Sequence, residues 1–172
     1  MKKGTRRMDT IILSLLVDNT SGVLTRLSGL FARRGYNIDS ITAGVTANPD
    51  ITRITIVSRG DDRVLNLIVA QLRKQEDVRD VKVLDPASSV DRELILVKVM
   101  ADVTNRRDIM AIAEIFRANV VDVQKDSMII ELTGSQSKLA ALLDMLSEYQ
   151  IAEIARTGIT GLSRGSGDVR FL

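Results

Sequence analysis

A short polar turn, Asp18-Asn19-Thr20-Ser21-Gly22, joins an apolar strand pattern to an apolar helix pattern near the start of the chain. The first N–H groups of a helix have no partner within the helix, and the helix dipole is positive there, so the turn offers a seat for a carboxylate. Asn19 adds an amide that both donates and accepts hydrogen bonds, which suits an ammonium group beside a carboxylate. Gly22 lets a ligand approach the backbone closely. The turn therefore predicts a binding site for a free amino acid.

The same residues also have a simpler interpretation as ordinary helix capping. The side-chain oxygen of Thr20 or Ser21 can accept a hydrogen bond from the first helical turn. Asn37, beyond the predicted end of this helix, could serve a site or merely complete a turn, although asparagine is uncommon in strands. Composition alone favours capping. The ligand hypothesis gains from redundancy, because four consecutive residues, 19–22, are small or amide-bearing where one cap would suffice.

Catalytic chemistry has few residues to draw on, because the 172-residue chain contains no His and no Cys. These absences exclude a Ser-His-Asp triad, a thiolate nucleophile, a disulfide framework and a cysteine zinc site. Asp61-Asp62 lacks the alternating spacing of a calcium loop, and the glycines of 158–165 are not followed by the lysine of a phosphate-binding loop. We therefore predict no catalytic residue and no metal ligand, with a small carboxylate-based enzyme as a weak alternative.

Charge and hydropathy exclude two further classes of protein. The chain has 24 basic and 22 acidic residues, and this net charge of +2 gives no electrostatic case for nucleic-acid binding. No apolar run approaches the roughly 20 residues of a membrane span. The basic start, residues 1–7, is not followed by the long apolar stretch of a secretory leader. The sequence predicts a cytoplasmic protein with packed aliphatic cores.

Hydrophobic periodicity predicts the order βαββαβ twice, an α+β fold of two ferredoxin-like units. We place the first domain at 8–85, the second at 91–160 and a flexible tail at 161–172, with a linker around Pro86. The apolar stripe of the first helix comprises Val23, Leu24, Leu27, Leu30 and Phe31. Predicted strands are 10–17, 37–46, 51–58, 78–84, 93–101, 120–124, 127–133 and 151–157; predicted helices are 21–34, a segment after 60–62, 104–118 and a segment after 134–135.

Helices on one side of a four-stranded sheet leave the other sheet face bare. Ile12 and Leu16 alternate with the core-facing residues of the first strand, so we expect them on that face. An exposed apolar face of this kind needs a cover, and the simplest covers are a second copy of the chain or the other domain.

Residues 18–44, DNTSGVLTRLSGLFARRGYNIDSITAG, together with 50–81, resemble the ACT domain of the small, regulatory subunit of acetohydroxyacid synthase (acetolactate synthase). Supporting motifs follow in the second half: RELILVKV at 92–99, AEIFR at 113–117 and ARTG at 155–158, the last preceding GLSRG at 161–165. The resemblance covers nearly the whole chain.

The resemblance implies a subunit without catalytic residues that pairs its ACT domains in a homodimer and activates a catalytic subunit. It also implies feedback inhibition by valine, or by leucine or isoleucine, bound between two ACT domains. The cofactors thiamine diphosphate, Mg²⁺ and FAD would lie on the catalytic subunit, and none on this chain. The implied effector site comprises Asn19, Thr20, Ser21, Gly22, Val23 and Leu24 of one copy, Asn37 and Ile38 of the facing copy, and Gly44, where the family usually keeps a small residue.

The runner-up function is a free-standing ACT-type amino-acid sensor that regulates another enzyme or transcription. The transcriptional form of this alternative is the weaker one, because no helix-turn-helix segment is left over outside the two predicted units. Assay of an acetohydroxyacid synthase catalytic subunit with and without this protein separates the two hypotheses.

Overall fold

The computed structural model describes residues 9–166, so the basic residues 1–7 and the last part of the predicted tail, 167–172, lie outside the described residues. The chain forms two units. Unit 1 contains the described residues up to Val90 together with those from Ile159 onward, and unit 2 is Asp91–Gly158. Within the described part of the chain, no helix is long and apolar enough to cross a lipid bilayer.

Unit 1 is an antiparallel four-stranded sheet with the strand order β2-β3-β1-β4 and two helices. Its core lies between the helices and one sheet face, where Leu13, Leu15, Ile54 and Ile56 meet Phe31 with almost no exposure. The elements are β1 (Asp9–Asp18), α1 (Val23–Arg34), β2 (Ile38–Val45), β3 (Ile51–Gly60), α2 (Asp62–Leu72) and β4 (Val78–Val83).

Unit 2 repeats this topology with the strand order β6-β7-β5-β8, and both units confirm the predicted α+β, ferredoxin-like class. Alternate residues of β5, Ile95, Val97 and Val99, are fully buried in its core. Its elements are β5 (Ser89–Met100), which begins in unit 1, α3 (Arg106–Phe116), β6 (Asn119–Val123), β7 (Ser127–Gly134), α4 (Gln136–Leu146) and β8 (Ile151–Arg156).

The chain after β8 differs from the predicted tail, because residues 160–163 form a ninth strand, β9 (Thr160–Ser163), which pairs with β5. Ile159 is 1% exposed, and Arg164 donates its backbone N–H to the Ser88 carbonyl at 2.7 Å. Gly158, at the boundary between the units, has a φ of +85°, a conformation that turns the chain sharply and favours glycine. The strand could not be recognised from the sequence, because the segment is rich in glycine. The segment belongs to unit 1.

The sheet face opposite the helices also differs from the expectation of an exposed apolar surface. Leu16 is only 5% exposed and Ile12 is half-buried in the single chain. The single chain leaves apolar side chains exposed on both edge strands of this sheet: Ile41 is 40% and Val45 is 60% exposed on β2, and Val83 is 48% exposed on β4. Ile41 pairs with the buried Ile56, so it lies on the helix side of the sheet, and the helices do not cover this edge strand.

Candidate functional site

The turn at the start of α1 is built around a left-handed glycine rather than a capping side chain. The helix begins at Val23, and Gly22 occupies the N-cap position with φ +86° and ψ −4° and no side-chain cap. The prediction that Thr20 or Ser21 caps this helix is therefore wrong. By contrast, α2 and α4 are capped by the side chains of Asp61 and Ser135. No side chain caps the first-turn N–H groups of α1, and its first turn contains no acidic residue.

Asn19 fixes this turn to the neighbouring β2–β3 hairpin. Its Nδ2 donates to the Pro49 carbonyl at 2.8 Å, and its Oδ1 accepts from the Thr52 hydroxyl at 3.1 Å. Its backbone N–H donates to the Asp50 carbonyl at 2.8 Å. The amide retains one N–H hydrogen and one lone pair beyond these bonds. Asn19 therefore positions the turn and still offers polar capacity to a ligand.

Two ion pairs that the sequence reasoning missed flank the turn. Arg26, one helical turn after Gly22, donates from Nε to Asp77 Oδ2 at 2.5 Å, and Arg79 pairs with Asp18. A methyl group added at Gly22 would lie 3.0 Å from Arg26 Nη1, so the guanidinium lies directly against this glycine. The spacing of four residues between Gly22 and Arg26 was the available sequence signal, because residues four apart share a helix face.

Asn37 and Ile38 lie at the opposite end of the sheet from Asn19. Asn37 donates from Nδ2 to Asp39 Oδ1 at 2.8 Å and accepts at its carbonyl from the Ser58 hydroxyl at 2.6 Å. Ile38 is half-buried against the core of unit 1. The 12 residues of α1 span the interval, a length of about 18 Å. A single copy of the chain thus does not bring the two halves of the predicted site together.

Gly44 lies at the same sheet end as Asn19 but on the face away from the helices. It pairs with Arg53 on β3, and Val45 beside it pairs with Thr52, the residue that contacts Asn19. A methyl group added at Gly44 would meet nothing within 4 Å. The remaining predicted positions adjoin the turn: Thr20 and Ser21 are exposed, Val23 is buried in the core, and Leu24, predicted to be buried, is 46% exposed.

The other polar clusters are structural in their geometry. Arg156 of the second-half motif holds the 5%-exposed Glu93 with two hydrogen bonds of 2.8 Å, and this bonding raises the pKa of Arg156. Hydrogen bonds from the Thr104 hydroxyl and N–H lower the pKa of Asp102, which lines a cavity of about 280 Å³ in unit 2. A carboxylate with a lowered pKa is a poor general base. Among the described residues, no group of three metal-ligating side chains lies together.

Comparison with known proteins identifies the family. Residues 13–80 match the model of the small-subunit-like ACT domain of acetohydroxyacid synthase, and residues 92–165 match the model of the small subunit of acetolactate synthase. The chain is 49% identical to a probable acetolactate synthase small subunit of Methanothermobacter thermautotrophicus, over 92% of this chain and 95% of that protein. The chain belongs to the acetolactate synthase small-subunit family.

Other members of the small-subunit family agree with this assignment. The Bacillus subtilis acetolactate synthase small subunit is 46% identical over 90% of this chain and 91% of its own length. The crystal structure of the Thermotoga maritima small subunit superposes with a TM-score of 0.85 at 39% identity, covering 92% of this chain and 99% of that one. The chain is accordingly a regulatory subunit and not the catalytic one, as the resemblance implied, so the carboxylate-enzyme alternative is wrong.

Proposed function

We propose that this small subunit activates the acetolactate synthase catalytic subunit and gives it feedback inhibition by valine, or by leucine or isoleucine, in the cytoplasm. The observation that carries the effector proposal is the start of α1, where no side chain caps the first-turn N–H groups and Gly22 leaves the backbone open. A carboxylate placed there meets first-turn N–H groups, of which only that of Val23 has a long bond, 3.5 Å to the Thr20 carbonyl, and it meets the positive end of the helix dipole. Thiamine diphosphate, Mg²⁺ and FAD belong to the catalytic partner in this proposal.

The proposed effector site is shared between two copies of the chain. β2 runs from Ile38 to Val45, and its Val45 end lies at the Asn19 end of the sheet. As an edge strand it offers unpaired backbone groups as well as the exposed Ile41 and Val45. If two β2 strands pair antiparallel about a twofold axis, Ile38 of one copy comes beside Val45 of the other.

This pairing would close the gap that separates the two halves of the site in one copy. Asn37 and Ile38 of the second copy would approach residues 19–24 and Gly44 of the first. The dimer and the effector site are therefore one proposal, in which loss of the pairing also removes the site. Its support is the placement of Asn37 far from Asn19 together with the uncovered apolar surface of β2.

A reconstitution assay tests the proposed function. Acetolactate formation by the purified catalytic subunit is measured with and without this protein, and then across a valine titration, with leucine and isoleucine in parallel. We expect stimulation on addition of the protein and inhibition that depends on its presence. Valine binding by calorimetry without any effect on the catalytic subunit would favour the free-standing sensor. Absence of both binding and stimulation would reject the proposal.

A further inference from the structure

Arg26 is a cation held at the end of α1 where the helix dipole disfavours positive charge. Its Nε is bound to Asp77 Oδ2 at 2.5 Å, while its side chain remains 48% exposed. Asp77 is itself fixed, because its backbone carbonyl accepts a hydrogen bond from the Asp18 N–H at 2.9 Å at the end of β1. One edge of the guanidinium is therefore anchored to the sheet, and the rest of it remains accessible to solvent.

The accessible part of the guanidinium lies beside the open backbone of Gly22. Nη1 lies 3.0 Å from the position that a Cβ at Gly22 would take, and the Gly22 carbonyl accepts from the Arg26 backbone N–H at 3.0 Å. The first-turn N–H groups and the Nη groups therefore border the same small space. An anion in that space would meet donors of two kinds, and guanidinium–carboxylate hydrogen bonds are among the strongest in proteins.

We infer that Arg26 recognises the α-carboxylate of the effector, with Asp77 as the residue that positions it. This inference rests on the proposed function and adds a specificity residue to its site. The ligand class that follows is a small molecule with a free carboxylate, so an amide in place of the carboxylate loses the interaction. The inference also gives a second reason, besides the backbone conformation, for a residue without a side chain at position 22.

The test measures binding of valine and of valinamide to the full-length protein by isothermal titration calorimetry. Arg26→Gln removes the charge and keeps a polar side chain, although a shorter one. Arg33→Gln is the matched control, because Arg33 lies against Gly29 on the same helix, with Nη1 3.3 Å from the position of a Cβ there, but in the last turn of the helix. Thermal unfolding of both variants checks the fold.

We expect Arg26→Gln to weaken valine binding by about 10- to 100-fold, the range for a hydrogen bond to a charged group, and Arg33→Gln to leave it within twofold. The wild-type preference for valine over valinamide should collapse in Arg26→Gln. Equal weakening of both ligands would assign Arg26 a structural role only, and unchanged valine affinity would likewise overturn the inference. A wild-type protein that binds no branched-chain amino acid would instead overturn the proposed function, and this inference with it.

Discussion

At the scale of single residues, the left-handed backbone of Gly22 determines what a substitution there reports. An aspartate is ordinarily tolerated near the start of a helix, but Gly22 has a φ of +86°. A side chain at this φ costs about 1 kcal/mol, least for Asn and Asp. In the Gly22→Asp variant, the loss of stability from the strained backbone is therefore mixed with the electrostatic effect of the carboxylate on effector binding.

A pair of variants separates these two effects. Gly22→Asn and Gly22→Asp have nearly the same shape, so we expect both to lower the free energy of unfolding by about 1 kcal/mol. Only Gly22→Asp should abolish valine inhibition, because its carboxylate would pair with Arg26 and the first-turn N–H groups in place of the effector. Urea denaturation and a valine titration of the reconstituted enzyme measure the two quantities. Equal valine inhibition in the two variants would contradict a carboxylate seat at this turn.

The facing half of the proposed site has its own residue-scale prediction at Asn37. Asn37→Ala removes the amide that this residue would present to the effector in the second copy, together with its bond to Asp39. We expect weaker valine binding, by about one hydrogen bond or roughly 1 kcal/mol. Calorimetry with Asn119→Ala, which removes a similar amide–carboxylate bond in unit 2, serves as the comparison. An effect of Asn37→Ala on stability alone would place this residue outside the site.

At the scale of elements, the start of α3 depends on four hydrogen bonds that link Asp102 reciprocally with Thr104 and Asn105. Asp102 Oδ1 accepts from the Thr104 N–H, the Thr104 hydroxyl and the Asn105 N–H, and Asn105 Oδ1 accepts from the Asp102 N–H. These bonds lower the pKa of Asp102 below its ordinary value of 3.8, the Thr104 hydroxyl contributing most. The contribution to stability is therefore present above the unfolded pKa and is lost as pH falls through the folded pKa.

We expect Asp102→Ala to lower the urea midpoint of unfolding at pH 7, and the difference from the wild type to shrink as the pH falls below about 3.8. Asp102→Asn keeps an acceptor oxygen without the charge, so it should show an intermediate loss at pH 7. Unfolding curves at pH 7, 5 and 3 measure this dependence. A difference that stays constant across this range would show that the charge of Asp102 has no part in holding the turn.

The order of elements could be predicted from periodicity, because each helix and strand has its own apolar pattern. Within α1 the stripe predicted Val23, Leu27, Leu30 and Phe31 correctly and failed at Leu24, which is exposed in the single chain. Contacts between residues that are distant in sequence could not be predicted from periodicity. Arg26 and Asp77 are 51 residues apart, and only the return of β4 beside β1 brings them together. The left-handed conformation of Gly22 was likewise undetermined, since glycine also fits an ordinary turn.

At the scale of the whole molecule, the uncovered side of β2 predicts a homodimer, and Val45 tests it. Val45→Glu places a charge on a residue that is 60% exposed, so the fold of a single copy should tolerate it. We expect light scattering to show at least a dimer for the wild type at micromolar concentration with valine, and a shift toward monomer with weaker valine binding for the variant. Val103→Glu, at an 88%-exposed position in unit 2, is the control. A monomeric wild type would reject the shared site.

If unit 1 binds the effector, unit 2 is free to contact or stabilise the catalytic subunit, and a truncation tests this. We expect a truncation ending at Pro86 to keep part of its binding to the catalytic subunit and to lose valine inhibition. This truncation also removes β9, whose Ser163 hydroxyl accepts a hydrogen bond from the retained Lys82, and it removes Ser88 and Ser89 together with Arg164, which bonds to both.

A second variant distinguishes the loss of unit 2 from the loss of β9. It replaces residues 91–158 with a flexible linker of about six Gly and Ser residues and so retains the β9 segment. We expect this variant to unfold at a higher temperature than the truncation and to be equally insensitive to valine. Full inhibition with either variant would refute a role for unit 2 in coupling the effector to the catalytic subunit.

The return of the chain to unit 1 at Ile159 also sets an order for synthesis on the ribosome. All of residues 91–158 must leave the exit tunnel before Ser163 can reach Lys82 and before Arg164 can reach Ser88 and Ser89. A nascent chain stalled anywhere in unit 2 therefore carries a first unit that lacks its last strand. Unit 1 begins the chain but is completed only after all of unit 2 has been synthesised, so an incompletely translated subunit has no complete first unit.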